Sequence, residues 1–178
     1  GVTAVGNSST AQIVFAEDTY TFDTGATTFT ATSGDNFDLT KGATTTFTTV
    51  GTDITFTTGA IALANGSNLV IDTGSGNGNI TLGEIGGNSV ETVTLDAGTG
   101  TTSVGVIGNS TEIGAVTIGS SDNGAITLNG VITTDGAVTI DGPVTLGADI
   151  TVTTANDAIT FNHTINGTQS LTLESGTA

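Results

Sequence analysis

The residues of this chain with the most chemistry to offer are carboxylates, and many of them lie beside Gly or Asn, where the chain is expected to turn. Stacked turns present carboxylate and carbonyl oxygens, and Ca²⁺ is a hard cation that takes about six to eight oxygen ligands. Two interpretations follow, acids that only form turns and acids that bind calcium. The nonapeptide calcium repeat and the EF-hand loop are absent, so turn formation is the simpler interpretation. The calcium candidates are Asp35, Asp38, Asp72, Asp135 and Asp141.

His163 is the only histidine, and a catalytic triad or a metal centre built on it needs partners that the sequence does not place nearby. Strict alternation from Phe161 puts His163 on the same inward face. A corner at Asn162 would instead turn it towards solvent. We expect a surface residue or a polar residue satisfied within the fold, with no catalytic role.

Lys41 is the only Lys or Arg of the chain. Lyase chemistry uses a cationic or metal electrophile beside a base, so a single lysine makes that mechanism unfavourable. Hydrolysis uses a carboxylate pair, which Asp135 and Asp141 would supply only as neighbours in space. We therefore expect no enzyme, no catalytic residue and no cofactor apart from the calcium considered above.

The charge balance restricts the partners of the chain. The net charge at pH 7 is −16, although only 10% of the residues are charged. Nucleic acid and anionic membrane surfaces are disfavoured, because both attract clustered Lys and Arg. No apolar run approaches the ~20 residues of a membrane-spanning helix, so no transmembrane segment is expected. Cysteine is absent, which excludes disulfides and thiolate metal sites.

A regular spacing of aliphatic residues defines the elements that position these side chains. Five aliphatic residues, each followed by Thr, lie six positions apart: Ile126, Ile132, Val138, Val144 and Ile150. In an extended strand alternate side chains point to opposite faces, so the aliphatic residues face inward and the threonines outward. The pair Asp141-Gly142 predicts a tight turn in which Gly accepts a positive φ. Short strands and tight corners repeated in this way predict a chain coiled around a narrow apolar interior.

The chain is therefore expected to form one all-β domain over residues 1–178, a parallel β-solenoid of about seven coils of roughly 22–27 residues. A right-handed coil is expected, and the regular spacing of 126–150 leaves a left-handed coil as the alternative. Residues 1–10 are expected to be a seam or a first strand. Residues 11–63 are expected to form Phe-rich coils, and residues 64–178 aliphatic coils.

Six of the seven Phe residues lie between residues 11 and 63. Rings on neighbouring coils would be about 4.8 Å apart, a spacing that suits aromatic stacking. The spacing of these residues along the sequence predicts three columns of stacked rings. The predicted pairs are Phe15 with Phe37, Phe22 with Phe47, and Phe29 with Phe56.

An internal repeat relates residues 79–100 to residues 158–178. Within it, the triplet ITL at 80–82 aligns with ITF at 159–161. We interpret the separation of the two copies as about three coils of roughly 26 residues. The sequence is then part of a longer array, continued either by the natural protein or by copies stacked end to end.

Three segments carry a resemblance to a known family: AVTIDGPVTLGADITVTT at 137–154, AITFNHTINGTQSLTLESGT at 158–177 and VTLDAGTGTTSVGVIG at 93–108. They resemble the repeats of large bacterial surface and secreted proteins of the filamentous-haemagglutinin type, and autotransporter passengers carry similar repeats. The resemblance implies a right-handed parallel β-helix, export across the outer membrane of a Gram-negative bacterium, and a role in adhesion, biofilm or sheath formation. The secretion domain of that family is not recognisable in this sequence.

The first functional expectation is a structural segment of an extracellular bacterial adhesin or filament, at the cell surface or secreted, that associates with itself through the solenoid ends. The alternative is a glycan-binding β-helix module of a surface or phage protein, which contacts glycans or another cell surface through a Thr- and Asn-rich outer face. A β-helical enzyme and an ice-binding protein are further alternatives. Thr-x-Thr pairs favour ice binding when they form one regular array, and their spacing along this sequence is uneven.

Overall fold

The computed structural model describes residues 3–5, 13–31, 35–64, 66–108 and 111–176. These residues form 22 strands and contain no helix. All of the strand pairings among them are parallel. The expected all-β parallel solenoid is therefore confirmed, while its right-handedness stays a prediction.

Each coil has three sides, and each side adds a strand to one of three faces that run the length of the molecule. The first face is a sheet of eight strands. Its strands are β1 Thr3–Val5, β4 Thr27–Thr30, β7 Ile54–Thr57, β10 Ile80–Leu82, β13 Thr102–Val104, β15 Ile126–Leu128, β18 Val144–Leu146 and β21 Ile165–Asn166. Of the expected seam or first strand, Thr3–Val5 is a strand, and the rest of residues 1–10 lies outside the described residues.

The second face consists of two sheets in line with each other. The first contains β2 Ile13–Phe15, β5 Phe37–Leu39, β8 Ile61–Leu63 and β11 Ile85–Gly86, and the second contains β16 Ile132–Thr134, β19 Ile150–Thr154 and β22 Leu171–Ser175. Ile107 bridges them, because it pairs with Ile85 on one side and Ile132 on the other. The face is therefore continuous from one end of the stack to the other.

The third face is a sheet of seven strands, one for each coil. Its strands are β3 Thr19–Phe22, β6 Thr44–Thr49, β9 Asn68–Asp72, β12 Thr92–Asp96, β14 Ala115–Gly119, β17 Val138–Asp141 and β20 Ile159–Phe161. Seven strands on this face give the expected count of about seven coils.

The coils shorten along the chain, as the numbers of the paired residues show. Thr27 pairs with Ile54 in an early coil, whereas Ile126 pairs with Val144 in a late one, so the late coil is a third shorter. The five regularly spaced aliphatic residues begin β15, β16, β17, β18 and β19 in turn. The predicted strands and corners of this stretch are confirmed, and its shortest coil lies below the expected range of coil length.

Alternation along each strand separates the core from the surface. In β17, Val138 and Ile140 are fully buried while Thr139 between them is partly exposed. The same pattern in the other strands produces one continuous core of Phe, Ile, Leu and Val inside the coils. Burial of this apolar surface is the main force that stabilises the stack.

One of the three predicted phenylalanine columns is confirmed. Phe29 pairs with Phe56, and their rings stack with centroids 4.6 Å apart. The other two predictions are wrong by two positions, because both coils are longer than the spacing of the rings suggests. Phe15 therefore lies opposite Leu39, and Phe22 lies opposite Thr49. A shift of two positions keeps each side chain on the same face of its strand.

The internal repeat does not correspond to three whole coils. The matched triplets form β10 on the first face and β20 on the third face. The separation between them thus spans three coils and two further sides, because the intervening coils are shorter than expected. The repeat records the alternation of strand and corner, which is the same on every side.

Gly142 is required at its corner for a reason other than the expected positive φ, which it does not have. A Cβ at this position would collide with the carbonyl oxygen of Gly124 on the preceding coil. The same kind of close approach occurs at Gly136 against Gly114. Glycine at these corners therefore allows the backbones of neighbouring coils to pack directly on each other.

Candidate functional site

Two of the five calcium candidates are buried within the wide coils. Asp35 and Asp38 are each 6% exposed, and Oδ2 of Asp35 has no hydrogen-bond partner. Asp38 lies on β5 between Phe37 and Leu39, and its burial raises the pKa of its carboxyl group, because water no longer stabilises the charged form. Among the described residues, no three His, Asp or Glu side chains come together in an arrangement that could hold a metal ion.

The other three candidates lie at corners. Asp72 Oδ1 accepts a hydrogen bond of 2.7 Å from the N–H of Gly74, which is the bonding of a turn-forming acid. Asp96 repeats this arrangement with Gly98 on the next coil, in register with Asp72. Asp135 and Asp141 lie at opposite ends of β17, so the strand separates the two carboxylates that hydrolysis would need close together.

The two basic residues each pair with one carboxylate at the surface. His163 is turned outward by the corner that follows β20, and its Nε2 lies 3.3 Å from Oδ1 of Asp141. Lys41 Nζ lies 2.6 Å from Oδ1 of Asp18. All four side chains are in contact with solvent, and ion pairs in that setting add little to the stability of a fold.

Polar ladders along the corners explain several of the remaining carboxylates. Asp53 Oδ1 accepts hydrogen bonds from the backbone N–H and the side-chain amide of Asn79 on the next coil, at 2.7 and 3.0 Å. Asn79 Oδ1 in turn accepts from the N–H of Thr101, one coil further, at 2.9 Å. These side chains join successive corners, and the sequence pattern did not predict the pairing.

Glu91 is a buried carboxylate that the sequence reasoning missed. It is fully buried, and its two oxygens accept hydrogen bonds from the N–H groups of Gly66 at 3.1 Å and Asn88 at 2.6 Å. It therefore ties a corner of one coil to a corner of the coil before it. A lone Glu in a stretch without periodicity gives no signal of this role.

The outer side of the first face carries a continuous column of hydroxyl groups. Thr28, Thr55, Thr81, Ser103, Thr127 and Thr145 pair in register from β4 to β18. Their spacing along the sequence is uneven only because the coils differ in length. The uneven spacing was therefore the wrong reason to reject a regular array.

The C-terminal end of the stack is where apolar side chains reach the solvent. We call the inward-facing residues of β20, β21 and β22 the C-terminal end face: Ile159, Phe161, Ile165, Leu171 and Leu173. Leu173 is 49% exposed and Ile165 is 38% exposed, whereas Val152 and Val144 beneath them are buried. Each of these three strands has a neighbour on one side only among the described residues.

A groove of about 430 Å³ opens between β22 and β20 on this end face. Its lining is part apolar and part polar: Asn156, Asp157, Ala158, Ile159, Leu173 and Ser175. It lies along the free edge of β20, where the third-face strand of one more coil would pair. The groove therefore has the shape of a place for a neighbouring strand, and its lining holds no group arranged for catalysis.

The fold and these sites define a β-solenoid repeat protein. No protein-family model, curated protein sequence or solved structure matches the chain. Within the described residues, no helix is long and apolar enough to cross a membrane.

Proposed function

We propose that this chain is a structural segment of an extracellular bacterial adhesin or filament, a rigid spacer that extends by stacking coil on coil. The observation that carries the proposal is the C-terminal end face, where the last coil exposes the apolar positions that every interior coil buries. Seven coils at about 4.8 Å each make a rod roughly 34 Å long. Self-association through the solenoid ends is part of the proposal.

The mechanism of such a spacer is mechanical. Parallel hydrogen bonds between coils run along the axis of the rod, and each coil contacts only its neighbours. Length can therefore change by whole coils without any rearrangement of the remainder. A net charge of −16 keeps neighbouring rods apart sideways unless cations screen it.

A change of coil number tests the spacer role directly. Residues 126–143 form one complete coil, since Ile126 pairs with Val144. Insertion of one or two further copies of this segment after Pro143 is expected to lengthen the particle by about 4.8 Å per copy in small-angle X-ray scattering, with cooperative unfolding retained. A maximum dimension that does not grow with copy number would refute the spacer role.

The extracellular location is supported by the resemblance of residues 79–178 to Gram-negative surface proteins. Antibody labelling of intact cells of the source bacterium checks it. Labelling that requires permeabilised cells would place the chain inside the cell and would end this part of the proposal.

Glycan binding is the second candidate, and the hydroxyl column from Thr28 to Thr145 is the observation that favours it. Sugar hydroxyls bond to polar groups of this kind when several are held in fixed register. A glycan array probed with the monomeric chain, and with Thr81→Val and Thr127→Val together, distinguishes the two. Binding that the double variant loses would favour the glycan module, and absence of binding leaves the structural segment.

A further inference from the structure

We infer that the C-terminal end face binds the N-terminal end of a second copy of this chain, head to tail, in the register that continues two apolar columns of the core. This inference rests on the proposed structural role and names its partner. The two columns lie on the second and the third faces, and both of their ends belong to described residues.

The first column runs through the second face and is apolar at every level. It consists of Ile13, Phe37, Ile61, Ile85, Ile107, Ile132, Val152 and Leu173, each paired with the next. The six interior members are at most 1% exposed, whereas Leu173 at one end is 49% exposed and Ile13 at the other is partly buried. Stacking of two copies would place Leu173 of one on Ile13 of the other and bury both.

The second column runs through the third face and ends in an aromatic ring at each end. It consists of Tyr20, Phe47, Ile71, Leu95, Ile118, Ile140 and Phe161, in register. Tyr20 stacks on Phe47 with ring centroids 5.2 Å apart and planes 14° from parallel. A second copy would bring Phe161 to the other side of the Tyr20 ring, which repeats this aromatic contact across the interface.

The free strand edges match as well as the columns do. Among the described residues, the unpaired edges at one end are β1, β2 and β3, and those at the other end are β21, β22 and β20, one for each face. All strands are parallel, so both ends have the same polarity and three strands can pair with three strands. The new interface is thus continuous with the coil interfaces already present in the molecule.

A second copy satisfies this end better than a partner of another kind. An occupant must present three parallel strands on three sides of a coil, with apolar residues facing inward at matching levels. Such an interface joins unlike ends, so it does not close, and repeated addition produces a filament. Since each copy carries a charge of −16, added salt is expected to strengthen the association by screening repulsion.

Disulfide cross-linking tests the register, because the chain has no native cysteine. Val14 is outward-facing beside Ile13, and Glu174 is outward-facing beside Leu173, so stacking places Val14 of one copy opposite Glu174 of the other. Neighbouring strands put their Cα atoms about 4.8 Å apart, within the range of about 4.4–6.8 Å that a disulfide spans. We expect a mixture of Val14→Cys and Glu174→Cys proteins, in about 0.5 M salt to suppress repulsion, to form mixed disulfide dimers several-fold in excess of either homodimer.

The matched control is Val14→Cys mixed with Thr172→Cys. Thr172 shares the outward side of β22 but lies two positions, roughly 7 Å, from the register position. This pair is expected to cross-link several-fold less. Equal yields from the two mixtures, or homodimers alone, would overturn the inferred register.

A second measurement uses variants that keep all coils intact. Leu173→Asp places a charge on an exposed side chain, so it is expected to fold and to weaken association at least ~tenfold in sedimentation equilibrium. Thr172→Asp adds the same charge on the outward side and is expected to leave association within about twofold. Equal effects of the two variants would contradict the end-face contact. The coil-insertion test uses single chains, so it stands whichever way these experiments end.

Discussion

The coils near the two ends of the molecule solve the same packing problem with different side chains. From β2 to β8 the coils are long, as the pairing of Thr27 with Ile54 shows, and the core is rich in Phe. From β15 to β22 the coils are shorter, as the pairing of Ile126 with Val144 shows, and the buried apolar side chains are Ile, Val and Leu. A longer coil encloses a wider interior, so it needs larger side chains to reach the density of a protein core.

The wide coils also pack their rings in a manner that the narrow coils cannot. Phe47 contacts Phe15 edge-on with centroids 4.9 Å apart, and Phe56 edge-on at 5.4 Å. The rings come from different faces, so they fill the centre of the coil and not only the inside of one sheet. In the narrow coils, three short sides leave room only for aliphatic side chains.

The largest expected effect comes from removal of a central ring in the wide coils. Phe47→Ala deletes a fully buried side chain that four other rings contact, and we expect a loss of about 4 kcal/mol in the free energy of unfolding. Phe22→Ala is the control, because Phe22 is only partly buried at the edge of the core. Urea unfolding monitored by circular dichroism measures both. A loss for Phe22→Ala as large as that for Phe47→Ala would show that ring packing at the coil centre is not what stabilises this region.

The next effect concerns the corners of the narrow coils. Gly142→Ala introduces a Cβ against Gly124 on the preceding coil, and we expect a loss of about 1–3 kcal/mol from the forced shift of the backbone. Gly83→Ala is the matched control, because no atom lies within 4 Å of a Cβ at that position and its φ is not in the left-handed region. The control is expected to be neutral or stabilising by about 0.5 kcal/mol in thermal melting. A Gly142→Ala protein as stable as the control would mean that coils at this corner can move apart freely.

The same two regions show what the sequence can predict and where it stops. In the narrow coils the sides are equal in length, so the spacing from Ile126 to Ile150 predicted every strand start and every inward residue. In the wide coils the corner lengths vary, so the pairs of Phe15 and Phe22 were each wrong by two positions while their faces were right. Alternation is local, but register depends on how many residues each corner takes up.

The candidate site was less predictable than the fold. Glu91 and the ladder from Asp53 to Thr101 join residues that belong to different coils, and no local pattern indicates such pairs. Of the calcium candidates, Asp38 was expected near a corner but is buried on a strand. The open end was expected from the sequence, but the residues that match across it became visible only with the register.

The smallest expected effect is a pair of opposite pH dependences, one from each region. Burial raises the pKa of Asp38, so its carboxylate opposes folding once the pH exceeds the value near 3.8 of an exposed Asp. The N–H of Ser170 donates to Asp149 at 2.9 Å and lowers the pKa of that carboxyl, so Asp149 contributes stability above pH 3.8 that is lost as the pH falls through its lowered pKa. At pH 7, Asp38→Asn should therefore melt above the native protein, and Asp149→Asn should melt below it.

Both differences should shrink towards zero as the pH falls below the pKa of both forms of each carboxyl, and melting at pH 7, 5 and 3 measures them. The Asp149 effect should also weaken with added salt, since that carboxylate is exposed, whereas the Asp38 effect should persist because its cause is burial. Shifts of the same sign for both variants at pH 7 would contradict the contrast between a buried carboxylate in a wide coil and a hydrogen-bonded one at the surface of a narrow coil.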